Sequence, residues 1–212
     1  MQRIIILILL TASYLSGCSQ PSGSTSKVTQ RMVGGRCEGC EALLEYGNKK
    51  LAAIDTLPDY HEPGPKMEIS GTIYHADGKT PARDIVLYVY HTDQKGYYST
   101  KGNETGWGKR HGYIRGWIKT DASGQYKFYT LKPVPYPSAN IPAHIHPTIQ
   151  EPGTNEYWID EYLFDDDPLL TTEERSKQEK RGGSGIITLT KNKNGVWIGK
   201  RDIILGLNVP SY

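Results

Sequence analysis

The sequence predicts an all-β protein, an antiparallel β-sandwich with a short N-terminal arm and one short helix. Three observations carry that prediction. Tyrosine is abundant (15) and phenylalanine scarce (2) among 212 residues, which favours strands and amphipathic surfaces over a wholly apolar core. From Met67 onward, β-branched and aromatic runs alternate with Gly, Pro and Asp clusters, at the close spacing of sandwiches and barrels. Only TTEERSKQEKR (171–181) reads as a helix in that region, opened by Thr caps and early glutamates.

Taken in order, the chain begins with a targeting segment. Arg3 supplies a positive start, Ile4 to Leu10 an apolar run too short to span a bilayer, and LSGC (15–18) a cleavage site. This predicts a signal peptide over 1–17 with LSGC similar to a bacterial lipobox, so that a lipidated Cys18 would hold an exported protein on a membrane surface. The polar stretch from Ser19 to Thr29 reads as a flexible tether, drawn over 18–36. Residues 37–66 form the arm, with a helical hint in EALLEYGNKKLAA (41–53) and a proline-glycine patch in LPDYHEPGP (57–65). Within it, Cys37 and Cys40 of CEGC are expected to form a local disulfide, since exported chains live where disulfides persist. A redox or metal role for that pair is the minority reading.

The sandwich is drawn over 67–212. MEISGTIYHADGKTPARDIVLYVYHTD (67–93) gives two strand runs split by ADGKTPA, and DIVLYVY has the composition of a strand buried on both faces. HGYIRGWIKTDASGQYKFYTL (111–131) repeats the arrangement with DASG as the turn. IPAHIHPTI, EYWIDEYLF, GIITLT and GVWIGKRDIIL supply the later strands. A net charge of +2 without a basic stripe argues against a nucleic-acid partner.

The residues with chemical potential are fewer. His144 and His146 form an H-x-H, and residues two apart in a strand share a face, so both imidazoles could reach one metal ion. Tyr136 is held between prolines in KPVPYP, which fixes the backbone and removes donors. Tyr97 and Tyr98 follow Gly96 as the chain leaves DIVLYVY. His61, His75, His91 and His111 read as solvated polar residues, with His111 the best placed of them to line a pocket mouth beside Arg115 and Trp117. FDDDP (164–168) reads as a solvated turn, calcium being the alternative.

LYVYHTDQKGYYS, IKTDASGQYKFYTLKPVPYP, IPAHIHPTI and EYLFDDDP, in this order, resemble the intradiol ring-cleavage dioxygenases, the protocatechuate 3,4-dioxygenase and catechol 1,2-dioxygenase group. The resemblance covers roughly residues 67–170. It implies non-haem Fe(III) held by Tyr98, Tyr136, His144 and His146, with Tyr97 as the register alternative to Tyr98. Hard phenolate oxygens suit a hard ferric ion, and two of them offset much of its charge. The implied activity uses O₂ to cleave a catechol-type aromatic between its two hydroxyl-bearing carbons, giving a muconate-type diacid. Tyr98 is then the ligand that leaves and helps to take a substrate proton, and Tyr136 the second catalytic tyrosine. Ile141 stands where the family carries arginine, and Glu161 where it carries glutamine; with Trp117, these are the expected substrate-binding positions. The alternative from another class is a non-catalytic surface binding module that keeps the fold and the iron. The sequence leaves room for an oligomer.

Overall fold

The computed structural model of the protein describes residues 30–212. The expected signal segment, Cys18 and the first part of the tether lie outside the described residues. The strands are β1 (Ile54–Thr56), β2 (Lys66–Tyr74), β3 (Val86–His91), β4 (Arg115–Lys119), β5 (Gln125–Leu131), β6 (His144–Gln150), β7 (Tyr157–Trp158), β8 (Tyr162–Phe164), β9 (Ile186–Ile187), β10 (Thr190–Lys191), β11 (Trp197–Lys200) and β12 (Ile203–Ile204). They form two six-stranded sheets. One has the order β1-β5-β2-β11-β10, with β12 also on β2; the other has β4-β3-β6-β8-β9, with β7 on β6.

Alternation explains the layers. β2 buries every second residue, so Met67, Ile69 and Ile73 face the core while their neighbours face outward. Leu87, Val89, Ile118, Ile145 and Ile149 answer them from the opposite sheet. β3 is buried on both faces for a specific reason. Its outward Val86 and Tyr88 lie under the arm, packed with Ala42, Leu43 and Trp117 in a second apolar cluster. The arm makes this contact through a 3-10 helix at Cys40–Tyr46, which Gly47 ends at φ 55°. Burying Leu43 there contributes about 2 kcal/mol. A disulfide joins Cys37 to Cys40 at the head of the helix.

The central pairings β2–β5, β3–β4 and β3–β6 are antiparallel. β1–β5, β2–β11, β2–β12 and β8–β9 are parallel, because those strands return from distant parts of the chain rather than through hairpins. DASG is a turn, with Asp121 Oδ1 accepting the N–H groups of Ser123 and Gln125 and Gly124 at φ 70°. The strands it joins do not pair: β4 and β5 belong to opposite sheets, so the turn carries the chain across the sandwich. At Gly71 the two parts of the chain nearly touch. A Cβ there would overlap the carbonyl oxygen of Arg201, which accepts the Tyr126 hydroxyl at 2.7 Å.

Two expectations are corrected here. The tether was drawn to residue 36, but from Arg31 the chain is bound to the domain. Arg31 bridges Thr154, Val33 is buried with its N–H on Asn155 Oδ1 at 2.7 Å, and buried Arg181 donates to the Gly34 carbonyl at 2.9 Å. The helix expected over 171–181 is only α2 (Thr172–Ser176), which with α1 (Gly108–His111) makes two short α-helices among the described residues. Thr171 caps it through Oγ1, accepting Glu174 N–H at 3.2 Å. Beyond α2, Asp160 takes the N–H groups of Lys180 (2.8 Å) and Arg181 (3.0 Å), holding that backbone in a non-helical course.

Candidate metal centre

The site lies on the outer face of the second sheet and is assembled from one strand and two loops. β6 alternates as its sequence requires. Ile145 points into the core, and His144 and His146 point outward, opposite Leu163 and Tyr90 respectively. Asp167 of FDDDP fixes the entry to β6 by accepting Ala143 N–H at 2.8 Å. The other acids of that turn are engaged too, Asp165 by Arg175 at 2.7 Å and Asp166 by Lys132 at 2.9 Å.

Tyr98 ends a loop that Asp93 organises. Its carboxylate accepts Lys95 N–H (2.8 Å), Tyr97 N–H (3.1 Å) and the Ser99 hydroxyl (2.6 Å). This loop is stitched to the proline-rich loop bearing Tyr136. Thr92 Oγ1 donates to the Val134 carbonyl at 2.9 Å and Gln94 Nε2 to the Lys132 carbonyl at 2.8 Å. Gly96, at φ 82°, makes the closest approach. A Cβ there would overlap the Pro135 carbonyl oxygen and lie 2.8 Å from Pro137 Cδ. Of the two adjacent tyrosines, Tyr97 is 57 % exposed, while Tyr98 turns inward.

Four donor atoms converge. Tyr98 Oη is 2.5 Å from Tyr136 Oη and 2.7 Å from His146 Nε2. Tyr136 Oη is 3.0 Å from His144 Nε2, and the two Nε2 atoms are 3.1 Å apart. Ligands held about 2.1 Å from one ion at near-right or tetrahedral angles lie about 3.0–3.4 Å from each other, so the cluster has the size of a coordination shell with slight expansion. Both histidines present the correct nitrogen. His144 Nδ1 donates to the Pro142 carbonyl at 2.7 Å and His146 Nδ1 to Glu161 Oε1 at 2.9 Å, leaving each Nε2 lone pair free. Glu161, His144 and His146 also lie close enough to suggest a two-histidine, one-carboxylate set. That set fails, because Glu161 occupies the opposite nitrogen of His146 from the one facing the tyrosines. Glu161 orients His146.

Without a metal, burial holds the two phenols and the His144 imidazole in their neutral forms. Burial first, and then the contact with Tyr136, pushes the Tyr98 phenol well above its ordinary value; burial does the same to Tyr136. Burial, reinforced by His146, lowers His144 and keeps that imidazole neutral. Burial would raise the Glu161 carboxyl, but the hydrogen bond from His146, with the nearby His144, outweighs it and lowers it. A metal bound here therefore displaces the phenolic protons, so its affinity rises with pH.

An aromatic stack supports His146 from behind. Tyr90 lies on it at 4.5 Å between centroids, and His111 on Tyr90 at 3.8 Å with the rings 3° from parallel. Gly39 of CEGC backs His111 so closely that a Cβ would sit 3.0 Å from its Nε2. His61 and His75 are exposed, as expected, but two other histidines are not solvated. His91 is in the core, with Nδ1 on the Thr92 carbonyl at 2.7 Å and Nε2 against the Thr130 hydroxyl at 2.6 Å. His111 is buried with Nδ1 2.9 Å from the Tyr88 hydroxyl. Trp117 is likewise placed elsewhere than expected. It is 5 % exposed beneath the 3-10 helix, donating to the Leu43 carbonyl at 2.9 Å, and so supports the arm rather than a substrate. Ile141, 44 % exposed, lies on the loop between Tyr136 and His144. Tyr90, Asp93 and Asp167 were missed by sequence reasoning; only the Asp-x-Lys-Gly turn pattern after His91 hinted at the second.

His111 has a measurable consequence. Burial first, then the neighbouring His146 ring and Arg115 guanidinium, lowers its pKa from 6.5 to about 4. The unfolded chain takes up this proton near pH 6.5 and the folded chain does not, so stability falls as pH drops from about 6.5 towards 4. Urea unfolding across that range is expected to show the fall, and His111→Gln to flatten it; an unchanged slope in the variant would refute the assignment.

A two-sheet β-sandwich with two phenols and two imidazoles converging on its outer face offers the donor set of a single metal ion. Residues 45–182 match the family described as dioxygenase, and the chain belongs to that family, the intradiol ring-cleavage enzymes. The match spans all four donors. Catechol 1,2-dioxygenase 1 of Acinetobacter lwoffii is 32% identical over 182 residues, covering 74% of this chain and 56% of that protein. The protocatechuate 3,4-dioxygenase beta chain of Burkholderia cepacia is 28% identical over 137 residues, covering 59% and 58%. The chain thus spans about half the length of the curated relatives it matches. Among solved structures, the fold is similar to the dioxygenase domain of a dioxygenase carbohydrate-binding protein fusion from Streptomyces sp. SirexAA-E. The TM-score is 0.57 at 21% identity, over 76% of this chain and 94% of that one. Catechol 1,2-dioxygenase from Acinetobacter sp. ADP1 gives 0.55 at 20% identity, over 73% and 57%.

Proposed function

We propose that this chain is a ferric, non-haem intradiol dioxygenase that opens a catechol-type ring between its hydroxyl-bearing carbons with O₂, giving a muconate-type diacid. The observation that carries the reading is the convergence of Tyr98 Oη, Tyr136 Oη, His144 Nε2 and His146 Nε2 with both imidazole tautomers fixed. These four residues would hold the iron, and two hard phenolate oxygens among them favour the ferric ion. When bound, iron supplies a template and Lewis acid that binds the catecholate and makes its ring reactive towards O₂.

The chain's own residues do the rest. Glu161 and the Pro142 carbonyl lock the histidine rings, and the Tyr90–His111 stack keeps His146 from swinging. Tyr98 sits on a loop rather than a strand, and its oxygen is within hydrogen-bond reach of both Tyr136 and His146. It is the donor suited to move aside and accept a proton from a catechol hydroxyl. Tyr136, clamped between Pro135 and Pro137, is suited to stay.

The test uses iron-loaded protein. Tyrosinate-to-iron charge transfer should give a visible band, catechol should shift it, and oxygen uptake should follow. Tyr98→Phe is expected to alter the band and cut turnover at least about a hundredfold, and Tyr97→Phe to do neither. The reverse pattern would move the ligand assignment to Tyr97. A band that shifts with catechol while no oxygen is consumed would identify a binding module instead of an enzyme.

A further inference from the structure

We propose that this site selects catechols whose ring substituent is neutral or cationic and disfavours those bearing a carboxylate, with Glu161 and Glu179 setting the preference. The inference rests on the ring-cleavage reading above. Its basis is a cleft that reaches His146, one of the four donors, beside Glu161. A cleft of 390 Å³ extends from Tyr90 and His146 between the CEGC loop and residues 158–161 and 177–179. Its ionisable walls, apart from His146, carry four acids, Glu38, Asp160, Glu161 and Glu179, against two bases, Arg36 and Lys177.

The pairings decide which of these charges a substrate would meet. Lys177 is held by Glu174 at 2.6 Å and Glu173 at 3.1 Å, neither of which lines the cleft, so its charge is already answered. Glu38 is paired with Arg110 at 2.7 Å, and Asp160 is bound by the N–H groups of Lys180 and Arg181. Arg36 is exposed on the arm, where its charge acts on Glu38. Glu179 lines the cleft without an ion pair among the described residues, its charge acting on Arg181. Glu161 stands at the inner end, 2.9 Å from His146 Nδ1, with 41 % of its side chain still exposed. No cation projects from the loop ahead of the histidine pair, where Ile141 is apolar. A substituent carried past His146 therefore meets carboxylate first. One incompletely screened unit charge at such range shifts affinity by about tenfold in either direction.

The experiment is an anaerobic titration of the iron-loaded full chain, read by its charge-transfer band. The three probes are 4-methylcatechol, 3,4-dihydroxybenzoate and 4-(2-aminoethyl)catechol. The aminoethyl probe is expected to bind at least about tenfold more tightly than the benzoate at low salt, with the methyl probe between them. The gap should narrow severalfold near 0.5 M salt, where the Debye length shrinks to about 4 Å. Glu179→Gln should narrow it, and Glu161→Gln should narrow it further. Benzoate binding as tightly as the amine, or a gap unchanged in Glu179→Gln, would overturn the inference and leave the ring-cleavage reading standing. A band that none of the three probes shifts would overturn both.

Discussion

Replacement of His146 by alanine is expected to remove iron and ring cleavage together while leaving the sandwich folded. His146 Nε2 is central to the cluster, 2.7 Å from Tyr98 Oη and 3.1 Å from His144 Nε2. Disturbing a residue that merely orients a metal ligand costs about 10–100-fold in affinity, and deleting the ligand itself should cost more. The change also leaves the Glu161 carboxylate without the N–H it accepts and Tyr90 without the ring it covers. The fold should survive because the core contacts of β6 come from Ile145 and Ile149 on its other face. Iron per chain should fall from near one to a small fraction and the visible band should vanish, with far-UV circular dichroism unchanged. Retention of one iron per chain would show that the metal sits elsewhere.

Gly96→Ala is expected to damage the site from outside it. Gly96 holds a left-handed φ of 82° that costs a non-glycine residue about 1–2 kcal/mol. Its missing side chain is also where the Tyr98 loop meets Pro135 and Pro137 of the Tyr136 loop. An added methyl must drive the two loops apart, and with them two donors now 2.5 Å apart. A misplacement of about 1 Å can cost about a hundredfold in rate. The prediction is a lowered melting temperature, weakened iron binding and at least that loss of turnover. Gly102→Ala provides the control, since φ there is 94° but nothing lies within 4 Å of the added atom. It should show the backbone strain alone, with the visible band and turnover kept. Equal effects from the two variants would remove the proposed stitching of the loops.

Much of this arrangement was legible in the sequence because it is encoded locally. Alternation in KMEISGTIY specifies a half-buried strand, and H-x-H on a strand puts two imidazoles on one face. Double burial of DIVLYVY was readable, although its reason, the arm lying over Val86 and Tyr88, was not. What failed depended on partners far along the chain. DASG has the chemistry of a turn, but nothing in it says that β4 and β5 enter different sheets. Glu179, Lys180 and Arg181 continue a helical composition, yet Asp160, some twenty residues earlier, binds the backbone of Lys180 and Arg181 in a non-helical course. His111 and Trp117 looked like pocket residues because they are polar or amphipathic near a loop. Both are buried, His111 by stacking on Tyr90 and Trp117 by the 3-10 helix of the arm. The pairing of Glu161 with His146 joins β6 to the residue just before its neighbour β8, in a register that no local pattern specifies.

The close crossing at Gly71 bears on how the protein comes into being. All four donors have been synthesised by residue 146, yet the sandwich behind them is still unfinished. One edge of β2 is completed by β11 and β12, and the Arg201 carbonyl settles over Gly71 only when that last stretch arrives. Ile203, Leu205 and Val209 then close the core. An emerging chain thus cannot complete this sheet until β11 and β12 are free to pair with β2, because pairings of such long range form late. Tyr98, Tyr136, His144 and His146 therefore acquire a rigid foundation only after β11 and β12 have docked.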